Sequence, residues 1–340
     1  MIARRTAIQN DLLAAERHAE KAATMRDPLQ EIAAIVDFAA LAREVERFAP
    51  RAEQPKGGRP PYPTEVMVRV LVVKHLHGLS DEQTEFQLLD RRSFRRFCGL
   101  EHSRNIPDRT TIWNFENRLG VEGVQALFDG LNRQIRARGL EARAGQIVDA
   151  TLVVAPKQHF TREEKEILEQ EAMPADWKPA KRRQKDIDAS WTKKHGKAYY
   201  GYKLSISVDR RHKIVRQWIT DTAGVHDSQH LEPVLDDWNT SAEIYADKGY
   251  VGVEREERLK ERGFRPHIQR KAQRGKPLSA RQEQRNRRIA KIRARVEHVF
   301  AAIHQWGGKR IRTIGQARAT FAMGMMVVVY NIRRLAFLGS

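Results

Sequence analysis

The 340-residue sequence contains a single cysteine, Cys98. One thiol closes no intrachain bridge and supplies no cysteine pair for a structural zinc site, so a disulfide scaffold is excluded and a reducing, cytoplasmic setting is expected. Long apolar runs are also missing. The longest uncharged one, residues 319–332, is 14 residues, short of the roughly 20 that cross a bilayer; it predicts a buried helix and no membrane partner. No apolar segment follows Arg4 and Arg5 before Asp11, so no secretory signal is expected. Repeats at periods of about 20–50 residues are absent. Acidic residues are scarce beside basic ones: 43 against 62, a net charge of +19, with 41% of residues hydrophobic. Such a chain is too apolar for disorder and too basic for a neutral partner, which points to a polyanion, nucleic acid first.

The charge that is present is clustered. Residues 270–312 hold fourteen basic side chains against only Glu283 and Glu297, a local charge of +12. A second basic stretch, residues 178–197, carries Lys181, Arg182, Arg183, Lys185, Lys193 and Lys194, with Trp177 and Trp191 beside or within it. One such cluster reads equally as a solvated face; two on a strongly basic chain favour phosphate neutralisation along a duplex.

The first 140 residues predict a helical domain that binds DNA or dimerises. Residues 12–25 and 29–48 are Ala- and Glu-rich, and Pro28 and Pro50 punctuate them. An apolar helix over residues 64–79 follows a Gly/Pro loop, Ser80 with Gln83 forms a capping box, and residues 93–98 and 108–119 predict two further short helices. Thr110, Thr111, Asn114 and Asn117 would face bases if these form a helix-turn-helix; a dimerisation bundle fits as well.

From residue 141 the periodicity changes. Residues 146–155, 199–208 and 212–220 read as a strand meander, 242–246 and 264–268 as two more strands, and 231–238, 253–262 and 280–305 as helices. Residues 156–198 read as a basic insertion. Three meandering strands and then alternating helices and strands imply a mixed α/β sheet of the ribonuclease-H-like kind, with an all-helical domain before it.

Three acids stand out. Asp149 interrupts an apolar strand, where a carboxylate is costly unless a cation or donors compensate; a wetter strand face beside Thr151 is the plainer reading. Asp247 ends a strand before Lys248-Gly249-Tyr250, a routine turn signal. Glu297 lies at the edge of the apolar stripe Val296, Val299, Phe300 and Ile303, four residues after Arg293, where a surface ion pair is the simplest expectation. Together, two aspartates on adjacent parallel strands and a glutamate on a covering helix would converge on magnesium or manganese and serve phosphodiester displacement. Asp188 is a rival third carboxylate, and His226-Asp227 with His230 reads either as a metal cluster or as a loop with a helix cap. Trp191, Tyr199, Tyr200 and Trp306 would pack in the core or stack on unpaired bases.

The segments Val148-Asp149-Ala150-Thr151, Asp188-Ala189-Ser190-Trp191-Thr192-Lys193-Lys194-His195-Gly196 on to Lys203, Thr222-Ala223-Gly224-Val225-His226-Asp227-Ser228, Ala246-Asp247-Lys248-Gly249-Tyr250-Val251-Gly252 and Arg295-Val296-Glu297-His298-Val299-Phe300 occur in that order. They resemble bacterial insertion-sequence DDE transposases of the IS-five type. Gly57-Gly58-Arg59-Pro60-Pro61-Tyr62 and the stretch from Gly78-Leu79-Ser80-Asp81 to Phe97 resemble the helical domain of the same enzymes, so the likeness runs over residues 59–338. It implies a metal-dependent nucleotidyl transferase with Asp149, Asp247 and Glu297 as metal-binding triad. Such an enzyme binds the inverted repeats of its element, cleaves there and joins 3′-hydroxyl ends to target DNA, as a homodimer on double-stranded DNA in the bacterial nucleoid. Lys193, Lys203, Arg287, Arg288, Lys291, Arg293, Arg295 and His304 are the expected DNA contacts. His304 stands seven residues after the glutamate, where the family usually has lysine, and holds less charge for a phosphate. The rival functions are a DNA-binding relative without cleavage and a metal-dependent nuclease without joining.

Overall fold

The computed structural model describes residues 11–51, 60–170, 172–194, 196–273 and 275–339. Arg4, Arg5, Gly57, Gly58, Arg59, His195 and Arg274 lie outside the described residues. The chain opens with seven helices, α1 (Ala14–Ala23), α2 (Pro28–Ile35), α3 (Phe38–Phe48), α4 (Thr64–Leu76), α5 (Asp81–Asp90), α6 (Arg92–Cys98) and α7 (Arg109–Ala137). Local chemistry sets several of their boundaries. Residues 29–48 split in two because Asp37 caps a new helix, its carboxylate accepting from the Ala40 N–H at 2.8 Å. Ser80 and Gln83 form the expected capping box at the start of α5. Past residue 119 the chain continues into a much longer helix, α7, kinked at Gly120, where φ 53° and ψ −159° leave the helical region and a side chain would be strained.

The sheet has six strands: β1 (Gln146–Val154), β2 (Ser190–Lys194), β3 (Lys197–Asp209), β4 (Val215–Thr222), β5 (Glu243–Ala246) and β6 (Arg265–Ile268). β4 pairs antiparallel with β3, β3 antiparallel with β1, β1 parallel with β5, and β5 parallel with β6. This mixed order is the ribonuclease-H-like arrangement. The basic insertion is more structured than its composition suggests. It contains α8 (Arg162–Glu169), α9 (Pro179–Gln184) and then β2, which shares one edge of β3 end to end with β4. At the junction Gly201 adopts φ 155°, and a Cβ there would meet the Val153 carbonyl oxygen at 2.2 Å, so only glycine lets β3 pass this close to β1.

Residues 231–238 are not an α-helix. A short 3₁₀ turn, Asp227–His230, is followed by turns. The apolar spacing there is real, with Leu231, Val234 and Leu235 in a small core beneath the sheet, but Pro233 lacks an N–H and the Asp236 N–H goes to Gln146 Oε1 of β1 at 2.9 Å. The chain is tied to the sheet where a helix would have continued. α10 (Val253–Glu261) and α11 (Ala280–Gln305) follow the expectation closely.

α12 (Gln316–Gly339) is long and apolar enough to span a membrane, yet most of it is buried against α7, β4, α2 and α4. It carries residues 319–332 as the expected buried helix. The main core runs unbroken from Leu29 of α2 through α7, one sheet face and α11 to Ala336 of α12, whereas Val148, Ile244, Ala246, Tyr250, Leu259 and Ile268 pack on the other face.

Candidate active site

Strand alternation decides which side chains meet. Ile147 and Tyr245 belong to the main core and Val148 and Ile244 to the smaller one, so Asp149 and Asp247, two residues on, point to the same face as Ile147 and Tyr245. Gln146 pairs with Ile244 and Ile147 with Tyr245; that register carried forward sets Asp149 opposite Asp247. β5 ends at Ala246, and Asp247 turns to cap the next 3₁₀ turn, its Oδ1 accepting from the Gly249 N–H at 2.7 Å.

α11 covers this face. Its stripe Val296, Val299, Phe300 and Ile303 is buried, as the 3.6-residue period requires. Arg293, one turn earlier, donates from Nη2 to Asp149 Oδ2 at 2.9 Å, and the two side chains are 16% and 19% exposed. Burial pushes the Asp149 carboxyl above its usual range and the Arg293 charge opposes that shift; the Ala150 N–H and Lys194 also favour the charged form, while Asp247 disfavours it. Two negative groups therefore feel one another here, with a guanidinium supplying the counter-charge.

Glu297 is exposed on α11, and the expected Arg293–Glu297 ion pair is not formed, since Arg293 reaches across to Asp149. Among the described residues no group of three Asp, Glu, His or Cys side chains is gathered for a metal ion. Asp149 and Asp247 nevertheless suit a hard divalent cation, being carboxylate oxygens on one face, and positive charge already stands at Asp149 as the guanidinium. Asp188 is not a rival ligand: its Oδ2 accepts from the Gln316 N–H at 2.7 Å, at the start of α12.

The basic residues divide into committed and free. Lys203 is not presented to a duplex: it is buried, with Nζ 2.5 Å from Asp227 Oδ1 and bonded to the Val225 carbonyl. That pair explains Asp227, and His230 is held by Ser205 and Asp221. Arg295 donates to the Arg210 carbonyl at 2.6 Å, and Arg270 to Glu256. His304 faces Thr151 Oγ1 at 3.3 Å, and burial, then Lys309, lowers its pKa and so favours the uncharged ring. Arg287, Arg288, Lys291 and Lys193 are exposed. Lys194, one residue beyond Lys193, acts on Asp149; only the run of charge around it hinted at this. Of the aromatics, Tyr200 is buried with its hydroxyl on the Asp186 carbonyl, whereas Trp191 is exposed beneath Lys157.

Tyr250 enters the sequence reading only as part of the turn motif after Asp247, with no role of its own. It is fully buried, its hydroxyl has no partner among the described residues, and burial, then Asp149, Asp227 and Asp247, raises its pKa well above the ordinary value. An aromatic after Asp-Lys-Gly reads as turn packing, and only the fold places it between three aspartates.

Residues 141–332 match the family model of the transposase DDE domain, and residues 17–118 match that of a transposase domain (DUF772). Among solved structures, the chain is similar to the cryo-EM structure of piggyBac transposase synaptic complex with hairpin DNA. The identity is 10% and the TM-score 0.47, over 93% of this chain and 76% of that one.

Proposed function

This chain belongs to the transposase DDE-domain family, and from that premise we propose that it binds the terminal inverted repeats of a mobile element, cleaves phosphodiester bonds there and joins the freed 3′-hydroxyl to target DNA. The observation that carries the reading is the placement of Asp149 on β1 and of Asp247 directly after the adjacent parallel β5, close enough to act on each other's charge, under a strongly basic helix. Asp149 and Asp247 would hold a divalent cation, magnesium or manganese by donor type, with Glu297 as the third ligand. The chemistry a divalent cation would supply there is charge stabilisation at the attacking and leaving oxygens of a phosphodiester. The exposed Arg287, Arg288 and Lys291 hold the DNA backbone along α11, and His304, whose charged form burial disfavours, contributes less to holding a phosphate than the lysine expected there. Two element ends to be joined make a homodimer the expected active form. A DNA-binding relative without cleavage is the second reading, and the lack of any gathered three-carboxylate group among the described residues is the observation in its favour.

The test compares Asp149→Asn, Asp247→Asn and Glu297→Gln on a labelled duplex carrying the repeat that brackets the gene, by gel shift and by strand nicking and joining with Mg²⁺. Binding persists, and cleavage falls on the order of a thousandfold or more in each, because residues that act as one unit fail together. Wild-type protein that binds but never nicks establishes the second reading. Normal joining by Glu297→Gln removes the glutamate from the site.

A further inference from the structure

Arg293 is held from two sides. Nη2 lies on Asp149, and Nη1 is 3.3 Å from Gln269 Oε1. Gln269 donates in turn to the Asn286 carbonyl at 3.1 Å, and the Asn286 side chain clamps the backbone of Arg270 through two bonds of 2.9 Å. The remaining nitrogen, Nε, is buried with no partner among the described residues. The guanidinium is thus well braced but incompletely satisfied, and it delivers positive charge to the one carboxylate that a cation at this site needs most.

A guanidinium and a divalent cation compete at Asp149: each repels the other, and with Oδ1 accepting the Ala150 N–H at 2.9 Å, the other oxygen, Oδ2, is the one that Arg293 occupies. A phosphate is the natural alternative acceptor for Arg293, since it takes two guanidinium donors at once and would also satisfy the orphaned one. Arg287, Arg288 and Lys291, exposed within the two preceding turns of α11, are placed to lead a phosphate backbone to that point.

We infer that Arg293 fills the cation position at Asp149 in the DNA-free protein and moves to a backbone phosphate when DNA binds, so that DNA and the divalent cation each strengthen the binding of the other. The inference rests on the reading of Asp149 as a cation ligand. It makes Arg293 a positioning residue that keeps the site closed to cations until substrate is present. The coupling is reciprocal, because both ligands favour the same released state of one side chain.

The experiment measures Mn²⁺ binding to the full-length protein by calorimetry, with and without a short duplex. Asp149→Asn with the same duplex serves as the blank for ions held by DNA itself. In wild type the duplex tightens Mn²⁺ binding by about tenfold or more, within the usual range for coupled sites. Arg293→Gln binds Mn²⁺ without DNA as tightly as wild type does with it, and gains nothing from the duplex. Gln269→Ala, which keeps the Arg293 charge but removes its brace, falls between. If Asp149→Asn abolishes binding while Arg293→Gln keeps the wild-type response to DNA, the coupling is overturned and the ligand role of Asp149 stands. If Asp149→Asn binds Mn²⁺ as wild type does, the reading of the site falls and the coupling with it. Should Arg293→Gln fail to fold, Gln269→Ala decides: DNA-free Mn²⁺ affinity equal to wild type overturns the inference.

Discussion

Asp209 ends β3, three residues beyond Ile206, the partner of Asp149, and its carboxylate organises the turn into β4. It accepts from the Arg211 and His212 N–H groups, from His212 Nδ1 at 3.1 Å and from Arg216 Nη2 at 3.3 Å. Asp209 and Arg216 are both fully buried, and the guanidinium also reaches the Leu140 carbonyl at the end of the helical region. A buried pair contributes little net stability when intact but leaves an uncompensated charge when cut from one side. Asp209→Ala is therefore expected to lower unfolding stability by about 3–5 kcal/mol, measured by urea denaturation, with the loss shared by sheet and helices. A loss below about 1 kcal/mol, typical of exposed pairs, would show that water reaches the site. Cys98 shows the opposite extreme: burial raises its thiol pKa to about 12, with Arg69 opposing the shift, so the single cysteine is inert packing in α6.

At the scale of single elements, α8 is held by a side chain that reports on pH. Glu164 completes the capping box with Thr161 and also accepts from Lys181 Nζ at 2.7 Å and Trp177 Nε1 at 2.8 Å. Those bonds, Lys181 first, lower its pKa from 4.5 to about 2. A depressed carboxyl pKa stabilises the folded form above the unfolded value, and that contribution is lost as pH falls through the folded one. Trp177 fluorescence should hold steady below pH 4.5 and change as pH falls through about 2, while stability begins to fall below pH 4.5, and Glu164→Gln should lose this step. α11 calls for a salt titration. If six basic residues of the belt touch phosphates, log K falls with log salt at a slope of about −5. Replacing Arg287, Arg288 and Lys291 together should flatten it by about 3 units while weakening all sequences alike. An unchanged slope would move the DNA off this helix.

For the molecule as a whole, the helical region and the sheet are not loosely joined. α7 ends at Ala137 and β1 begins at Gln146, which leaves the expected boundary near residue 140 as a change of architecture. The main core nevertheless crosses it: Val124 and Phe128 of α7 meet Trp218 of β4 and Gly324 of α12. A fragment starting at Ala144 would expose this apolar face, so it should aggregate or unfold and bind hydrophobic dyes, when compared with the full chain by gel filtration. A monomeric fragment with a cooperative thermal transition would show that the sheet needs no helical partner.

Much of this was legible beforehand because it depends on local rules. The five strands expected over residues 146–268, the capping box at Ser80, α11 and the buried run in α12 follow from side-chain period and backbone donors, which neighbours along the chain suffice to determine. Asp149 and Asp247 stood out because a charge in an apolar strand and an acid at a strand end are visible in one dimension. The strand β2 was hidden because its Lys and Trp side chains read as a solvated run, and its order comes from pairing with β3. Residues 231–238 failed as a helix because Gln146, some ninety positions away, takes their backbone. The destinations of charge were decided only in three dimensions. Arg293 turns from Glu297 to Asp149, Lys203 turns inward to Asp227, and Tyr250 is sealed among aspartates. A long side chain selects the partner of lowest free energy within its reach, and which carboxylates lie within that reach is a property of the packed sheet and helix, not of spacing along the chain.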